Sequence, residues 1–416
     1  MNDISNLIYE LPKMKAGEEL KSALEYIPHY DENIRMENDA MRLMELNELY
    51  NIYLPSEMSL EIYSKLYLAM LRSLQKKGTK LAIQQKNENF KAIQQSNYSG
   101  IIGGSDSFTI IGASGIGKSS AISRAISLIT ENRIIEVQNP YVKIIPCLIS
   151  QCPFDCSAKG LLLEILRKVD ELIGSKYYEN ALRARATTDM LIGNVSQVSL
   201  NHIGLLVVDE IQNICNNKSG NSLVAVLTQL INNSGISICM VGTPESSSFF
   251  EQAMQLARRS LGLHYSNMPY DNYFKEFCKT VFRFQYVKQR TELTDAVIEW
   301  LYEHSNGIIS IVISLVHDAQ EIAILNKKEI LNIDTLNEAY KKRLNMLHDY
   351  LNPSIVINRQ TSRHKKHKCL VEPCKIGILE ADDKNSIVEL AKIAKRQELD
   401  FLELLKERFS VTEVNV

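Results

Sequence analysis

Two hydrophobic periods alternate along this chain. The run "SFTIIGASGIGKSSAISRAISLI" (107–129) passes from an apolar block, Phe108 to Ile111, through a glycine loop into a helical stretch, Ser120 to Ile129. Similar blocks recur at "YVKIIPCLIS" (141–150), Leu205 to Val208, "GISICMVGT" (235–243) and "TVFRFQYV" (280–287). Short continuous apolar blocks predict strands buried on both faces. Amphipathic stretches separate them: "KGLLLEILRKVDELIG", "SLVAVLTQLINNS" and "SSFFEQAMQLARRS". The alternation predicts an α/β fold, a parallel five-stranded sheet with helices on both faces.

The flanks differ from this core. Residues 1–95 read as a helical N-terminal region, in which Ile62, Leu66, Met70 and Leu74 form one packing stripe. The core is expected over 96–290, and a helical lid over 291–350, from patterns such as "LTDAVIEWLYEHSNG" and "TLNEAYKKRL". Residues 351–416 form a basic tail that ends in an amphipathic helix. In the tail, Ser386 and Glu389 match a capping box ahead of Ile387, Leu390, Ala394, Phe401 and Leu404. Such an appendage reads as a partner hook or as a helix packed on the lid.

The glycine loop carries the first chemistry. Gly112, Ala113, Ser114, Gly115, Ile116, Gly117, Lys118 and Ser119, followed by Ser120, satisfy G-x-x-x-x-G-K-S between a strand and a helix. Glycines let consecutive N–H groups turn inward on phosphate oxygens, and the helix adds its positive end. Lys118 would reach the β- and γ-phosphates of ATP, and Ser119 would ligate Mg²⁺. A carboxylate at the end of a neighbouring strand is also required. "GLLVVDEIQNI" supplies Asp209 for the metal and Glu210 as general base for the attacking water. An Asp–Glu pair points to hydrolysis rather than binding alone. Thr243, in "VGTPES", ends the strand expected between the loop strand and the metal strand, where it can hold the water or the γ-phosphate.

"QLARRSLG" follows, with Arg258 and Arg259 near a helix end. In ring-forming ATPases an arginine there enters the neighbour's site and neutralises transition-state charge, so hydrolysis would need a homo-oligomer. The lid stretch "SNGIISIVISLV" has no arginine near Gly307, so nucleotide sensing there is weak or falls to other residues.

Composition bounds the rest. A chain of 416 residues with 45% apolar content can build two or three domains. The net charge of −2 makes any nucleic-acid surface local. An acidic start without a long apolar core, and no apolar run of membrane length, give the expectation of a cytoplasmic chain with no membrane association. Its eight cysteines are scattered, mostly in apolar strands, and read as reduced, buried thiols. In the tail, "RQTSRHKKHK" packs five basic residues and two histidines into ten positions. His364, His367, Cys369 and Cys374 could ligate zinc, but their spacing matches no common finger, and a flexible basic arm is the preferred reading.

Several stretches together resemble the transposition-regulator ATPases of the TniB/TnsC type. They are the N-terminal "YIPHYDENIRMENDAMRLMELNELYNIYLPSEMSLEIYSKL", "GASGIGKSS", "IPCLISQCPFDCSAKGLLLEILRKVDELIG", "LLVVDEIQNI" and "VGTPES". The more specific part is Pro153 and Phe154 with the basic Lys159 leading into a leucine-rich helix. The likeness implies an AAA+ protein that assembles with ATP as a ring or filament around double-stranded DNA. It implies recruitment by a target-selector protein of the TniQ/TnsD type, activation of a transposase, and disassembly on hydrolysis. Lys159 matches a basic position that faces DNA in that family, and Lys176 is a second candidate. Two other readings stay open: another AAA+ DNA machine, such as an initiator or helicase loader, and a signalling or defence NTPase scaffold without DNA.

Overall fold

In a computed structural model the described residues are 9–77, 107–138, 141–155, 157–216, 220–247 and 262–343. They fall in one unit, Met1–Ile355. The tail from 356 lies outside the described residues, with its candidate zinc ligands and its terminal helix. So do most of the "SSFFEQAMQLARRS" stretch and both Arg258 and Arg259.

The sheet contains β1 (Phe108–Gly112), β2 (Ile135–Gln138), β3 (Tyr141–Gln151), β4 (Ile203–Asp209), β5 (Ser237–Gly242) and β6 (Leu263–Tyr265). Their order is β2-β3-β4-β5-β1-β6. Five strands run parallel, and β2 adds an antiparallel edge against β3. Strand β5 does lie between the loop strand β1 and the metal strand β4. Because these three are parallel, Gly112, Asp209 and Thr243 all emerge at one carboxyl edge. Alternate residues of the inner strands feed two cores: Leu206, Val208, Ile238 and Met240 on one face, Leu205, Val207, Cys239 and Val241 on the other. Burial on both faces is why these strands read as unbroken apolar runs.

One face is covered by α5 (Ala158–Ile173), α7 (Thr188–His202) and α8 (Gly220–Ser234), with the short α6 (Tyr177–Arg183) beside them. The other is covered by α4 (Lys118–Thr130), α1 (Gly17–Leu24) and α3 (Glu57–Lys77). The stripe Ile62, Leu66, Met70 and Leu74 of α3 is buried against the sheet. At the end of α3, the buried Lys77 donates to the carbonyls of Ser199 and Leu200 at 2.8 and 2.7 Å, satisfying the C-terminal turn of α7. Cys152, Cys239 and Cys278 are free thiols and are buried.

The strand expected at 280–287 is not one. Helix α9 (Asn272–Arg283) runs through its first half, and buried irregular chain carrying Phe284, Tyr286 and Val287 follows. Phe274, Phe277, Cys278, Val281 and Phe282 are all buried at helical spacing, a stripe that begins upstream of the apolar block and therefore sets its period. The fifth parallel strand is β6, three half-exposed residues identified by pairing with Ile110 to Gly112 rather than by hydrophobicity.

Helix α9 packs with α10 (Asp295–Ser305), α11 (Ile309–Leu325) and α12 (Ile333–Arg343) in a third core. This core also takes Leu46, Leu49 and Ile52, which follow α2 (Asp39–Glu45), so the N-terminal region joins the sheet to the lid. Arg42, on α2 and fully buried, pins that junction. Its guanidinium donates to Glu329 at 2.7 and 2.8 Å, to Asp39 at 2.7 Å and to the carbonyl of Tyr286 at 3.0 Å. The hydrogen bond from Arg42 holds the Glu329 carboxyl below its usual range. Glu329 therefore stabilises the fold fully above the unfolded carboxyl pKa of about 4.3, and that stabilisation is lost as pH falls below it. Arg42→Ala is expected to cost about 3–5 kcal/mol in urea unfolding at neutral pH, because it empties a fully buried site and leaves the partly buried Glu329 carboxylate unpaired. A loss below about 1 kcal/mol, the range of an exposed pair, would remove Arg42 as the pin.

Candidate nucleotide site

The loop has the shape its glycines allow. Gly115 and Gly117 take φ of +83° and +97°, which side chains resist. A Cβ on Gly115 would also stand 2.3 Å from Ser310 Oγ. Gly117 caps α4 without a side-chain acceptor, so first-turn N–H groups face the cleft. Lys118, 8% exposed, donates to the carbonyls of Gly112 and Ala113, both at 2.7 Å. Burial pulls its pKa below the ordinary lysine range, against the attraction of Asp209, Glu210 and Glu245. The charge of an anion entering the cleft would offset that desolvation.

Ser119 Oγ donates to Asp209 Oδ2 at 3.2 Å, closing the loop onto the end of β4. A hydroxyl and a carboxylate in contact form the hard-oxygen donor set that suits Mg²⁺. The other Asp209 oxygen accepts the Glu210 N–H at 2.8 Å. Glu210 has φ +59°, a left-handed conformation uncommon for a non-glycine residue. Thr243 follows β5 and lines the same cleft as Lys118, Ser119, Asp209 and Glu210. The exposed Ser114 and Ser120 complete its rim.

The lid meets the loop through Ser310, whose N–H donates to the Gly115 carbonyl at 3.1 Å, and among the described residues no arginine lines the cleft there. From this point the cleft continues into a mainly apolar recess lined by Tyr50, Tyr53, Met58, Ile116, Phe277 and Ile313. Tyr53 is fixed by the Arg124 guanidinium, 4.5 Å from its ring centre, and by its hydroxyl, which donates to Ser59 at 2.8 Å. A recess of this kind beside a phosphate loop suits a nucleobase. Sequence reasoning missed it, because its walls come from four separate segments. Ser310 and Gln212 were missed as well, although Gln212 stands in the quoted "DEIQN".

The two DNA candidates are not brought together. Lys159 is exposed in the first turn of α5, behind the cap in which Ser157 Oγ accepts the Gly160 N–H at 3.1 Å. The preceding loop is tied to the site: Cys152 N–H donates to the Asp209 carbonyl at 2.8 Å, and Asn213 donates to the Cys152 carbonyl at 3.1 Å. Lys176 is exposed beyond the far end of α5. The 16 residues of that helix separate the two lysines by roughly 24 Å.

A parallel sheet with β5 between the loop strand and the metal strand, helices on both faces and a helical lid on the loop defines an AAA+ ATPase. Residues 101–266 match the family model described as Bacterial TniB protein. No curated protein matches the chain. Among solved structures it is similar to the Aeropyrum pernix ORC1 protein in complex with DNA, at TM-score 0.42 and 15% identity over 64% of this chain. The match spans 65% of that protein, just under two thirds of its length. Domain III of the Thermotoga maritima replication initiation protein DnaA gives 0.34 and 14%, over 66% of this chain and 94% of that one. A Walker-type ATPase of Pyrococcus abyssi gives 0.35 and 12%, over 65% and 75%. No single helix among the described residues is long and apolar enough to cross a membrane.

Ile313→Trp should fill the apolar recess and raise the Kd for ATP at least tenfold in equilibrium binding, with inorganic triphosphate binding little changed. Equal losses for both ligands would show that the base binds elsewhere.

Proposed function

We propose that this protein is an ATP-dependent, DNA-binding regulator of transposition. In this reading it oligomerises as a ring or filament on target duplex, links a target-selector protein of the TniQ/TnsD type to a transposase, and disassembles on hydrolysis. The observation that carries the ATPase chemistry is the contact of Ser119 with Asp209, directly beside Glu210. The match to the TniB family over residues 101–266 supports the place in transposition.

The amides from Gly112 to Ser120 and the Lys118 ammonium would hold the triphosphate of ATP. Ser119 and Asp209 would hold Mg²⁺, which supplies neutralisation of the phosphate charge. Glu210 would accept a proton from water as the water oxygen bonds to the γ-phosphorus. The bond to the bridging oxygen then breaks, and ADP leaves with its electron pair. Thr243 would hold the water or the γ-phosphate. Arg258 or Arg259 would reach a neighbouring subunit's site and stabilise the transferring phosphoryl group, which makes turnover depend on assembly.

Lys159 supports the DNA part, because an exposed lysine on the loop edge adds to phosphate neutralisation when repeated along an assembly. Lys176 would meet DNA only as a separate contact, given its distance from Lys159.

Glu210→Gln should leave ATP binding intact and cut hydrolysis by about 10²-fold or more, with assemblies on DNA lasting longer. Turnover near the wild-type rate would remove Glu210 as the base. Random duplex should shift in a gel only with ATP present, and Lys159→Ala should weaken that shift and lower the salt slope by about one unit. Absence of any ATP-dependent binding by the intact chain would overturn the DNA reading and leave a protein scaffold. An unchanged slope in Lys159→Ala would return that lysine to the ordinary surface.

A further inference from the structure

The 3₁₀ turn Ile211–Asn216 leaves the metal strand directly after Glu210. The Gln212 amide nitrogen donates to Oε2 of Glu210, so one carboxylate oxygen is held within the turn and the other is left. The amide oxygen of Gln212 is buried and has no hydrogen-bond partner among the described residues. It lies near Gly242, 3.3 Å from where a Cβ on that glycine would stand. The Gln212 side chain therefore runs from Glu210 towards the end of β5, on the wall shared by Asp209, Gly242 and Thr243.

We propose that Gln212 is the positioning residue for the general base. This rests on the reading of Glu210 as that base. A glutamate side chain turns about three bonds, and a base must meet its water within hydrogen-bond reach, so its rotamers have to be restricted beforehand. The backbone makes the first restriction, through the left-handed φ of Glu210 and its N–H on Asp209. The Gln212 amide makes the second. It engages one carboxylate oxygen and directs the other to the water, whose proton that oxygen takes as the γ-phosphorus–oxygen bond forms.

The alternative, that the contact restrains Glu210 in an inactive pose, fits the geometry less well. The bond spans two residues of one turn, so the partners move together, and a releasable latch needs a separate element to pull it open. The turn is also anchored on its other side. Asn213 N–H donates to the Glu210 carbonyl at 3.1 Å, and the Asn213 side chain donates to the Cys152 carbonyl at 3.1 Å. Gln212 thus stands on a fixed base. Leaving a buried amide oxygen unpaired is unfavourable, and a side chain with no task would avoid it by turning to solvent.

The test is a double-mutant cycle on the full chain, with ATP and saturating random duplex as probes. Gln212→Ala should lower kcat by about 10- to 100-fold, the scale of a misplaced catalytic group, with KM and the Kd for ATP unchanged. In a Glu210→Gln background it should lower the residual rate no further. Gln212→His, which offers another ring N–H donor, should recover part of the rate. Should Gln212→Ala fail to bind ATP, Gln212→Met keeps the volume without the donor and is read in the same way. An unchanged or increased kcat, a loss shared by KM, or an equal loss in both backgrounds overturns the proposal. Near-normal turnover of Glu210→Gln alone instead overturns the base assignment beneath it.

Discussion

A lysine ammonium held 8% exposed in a cleft must be compensated, and the site is organised around that need. Two loop carbonyls accept from Lys118, and Asp209, Glu210 and Glu245 attract it from across the cleft. Removing a charge from water is costly unless it is hydrogen-bonded and paired. The pairing is possible only because β1, β4 and β5 end at one edge, so that the loop, the carboxylates and Thr243 converge. The helix that starts at Lys118 adds free N–H groups to the same point. What results is a site with a surplus of donors, suited to a polyphosphate.

The remaining architecture closes this cleft. The N-terminal region covers one sheet face with α3 and walls the apolar recess with Tyr50 and Tyr53, and then enters the lid core through Leu46, Leu49 and Ile52. Arg42 ties that passage to Glu329, Asp39 and the Tyr286 carbonyl. The lid touches the loop through a backbone bond from Ser310, not through a charged side chain. A neutral contact of this kind can close over either nucleotide.

Much of the chemistry was legible in the chain because its signals are local. A strand–loop–helix with glycines at fixed offsets can hold phosphate in few ways, and the glycines at 115 and 117 do carry positive φ. The block ending at Asp209 reads as a buried strand because both its faces are covered. The stripe on α3 follows helical spacing and packs as expected. The misreading at 280–287 is equally physical. Valine and aromatic residues favour strands, yet the helical stripe from Phe274 to Phe282 buries more surface and sets the structure.

The sequence by itself determined the glycine loop, the Asp209–Glu210 pair at the end of an apolar strand, the buried strands and the covering helices, since each is a short local pattern of periodicity, backbone conformation or charge. Tertiary structure decided what depends on pairing over distance. Three weakly apolar residues became β6 because β1 had an open edge beside them. The apolar recess exists only where residues near 50, 116, 277 and 310 meet. Local patterns fix which groups a segment can offer. Which groups share a cleft is fixed by strand order and by the burial of three cores, and neither is encoded in any single stretch.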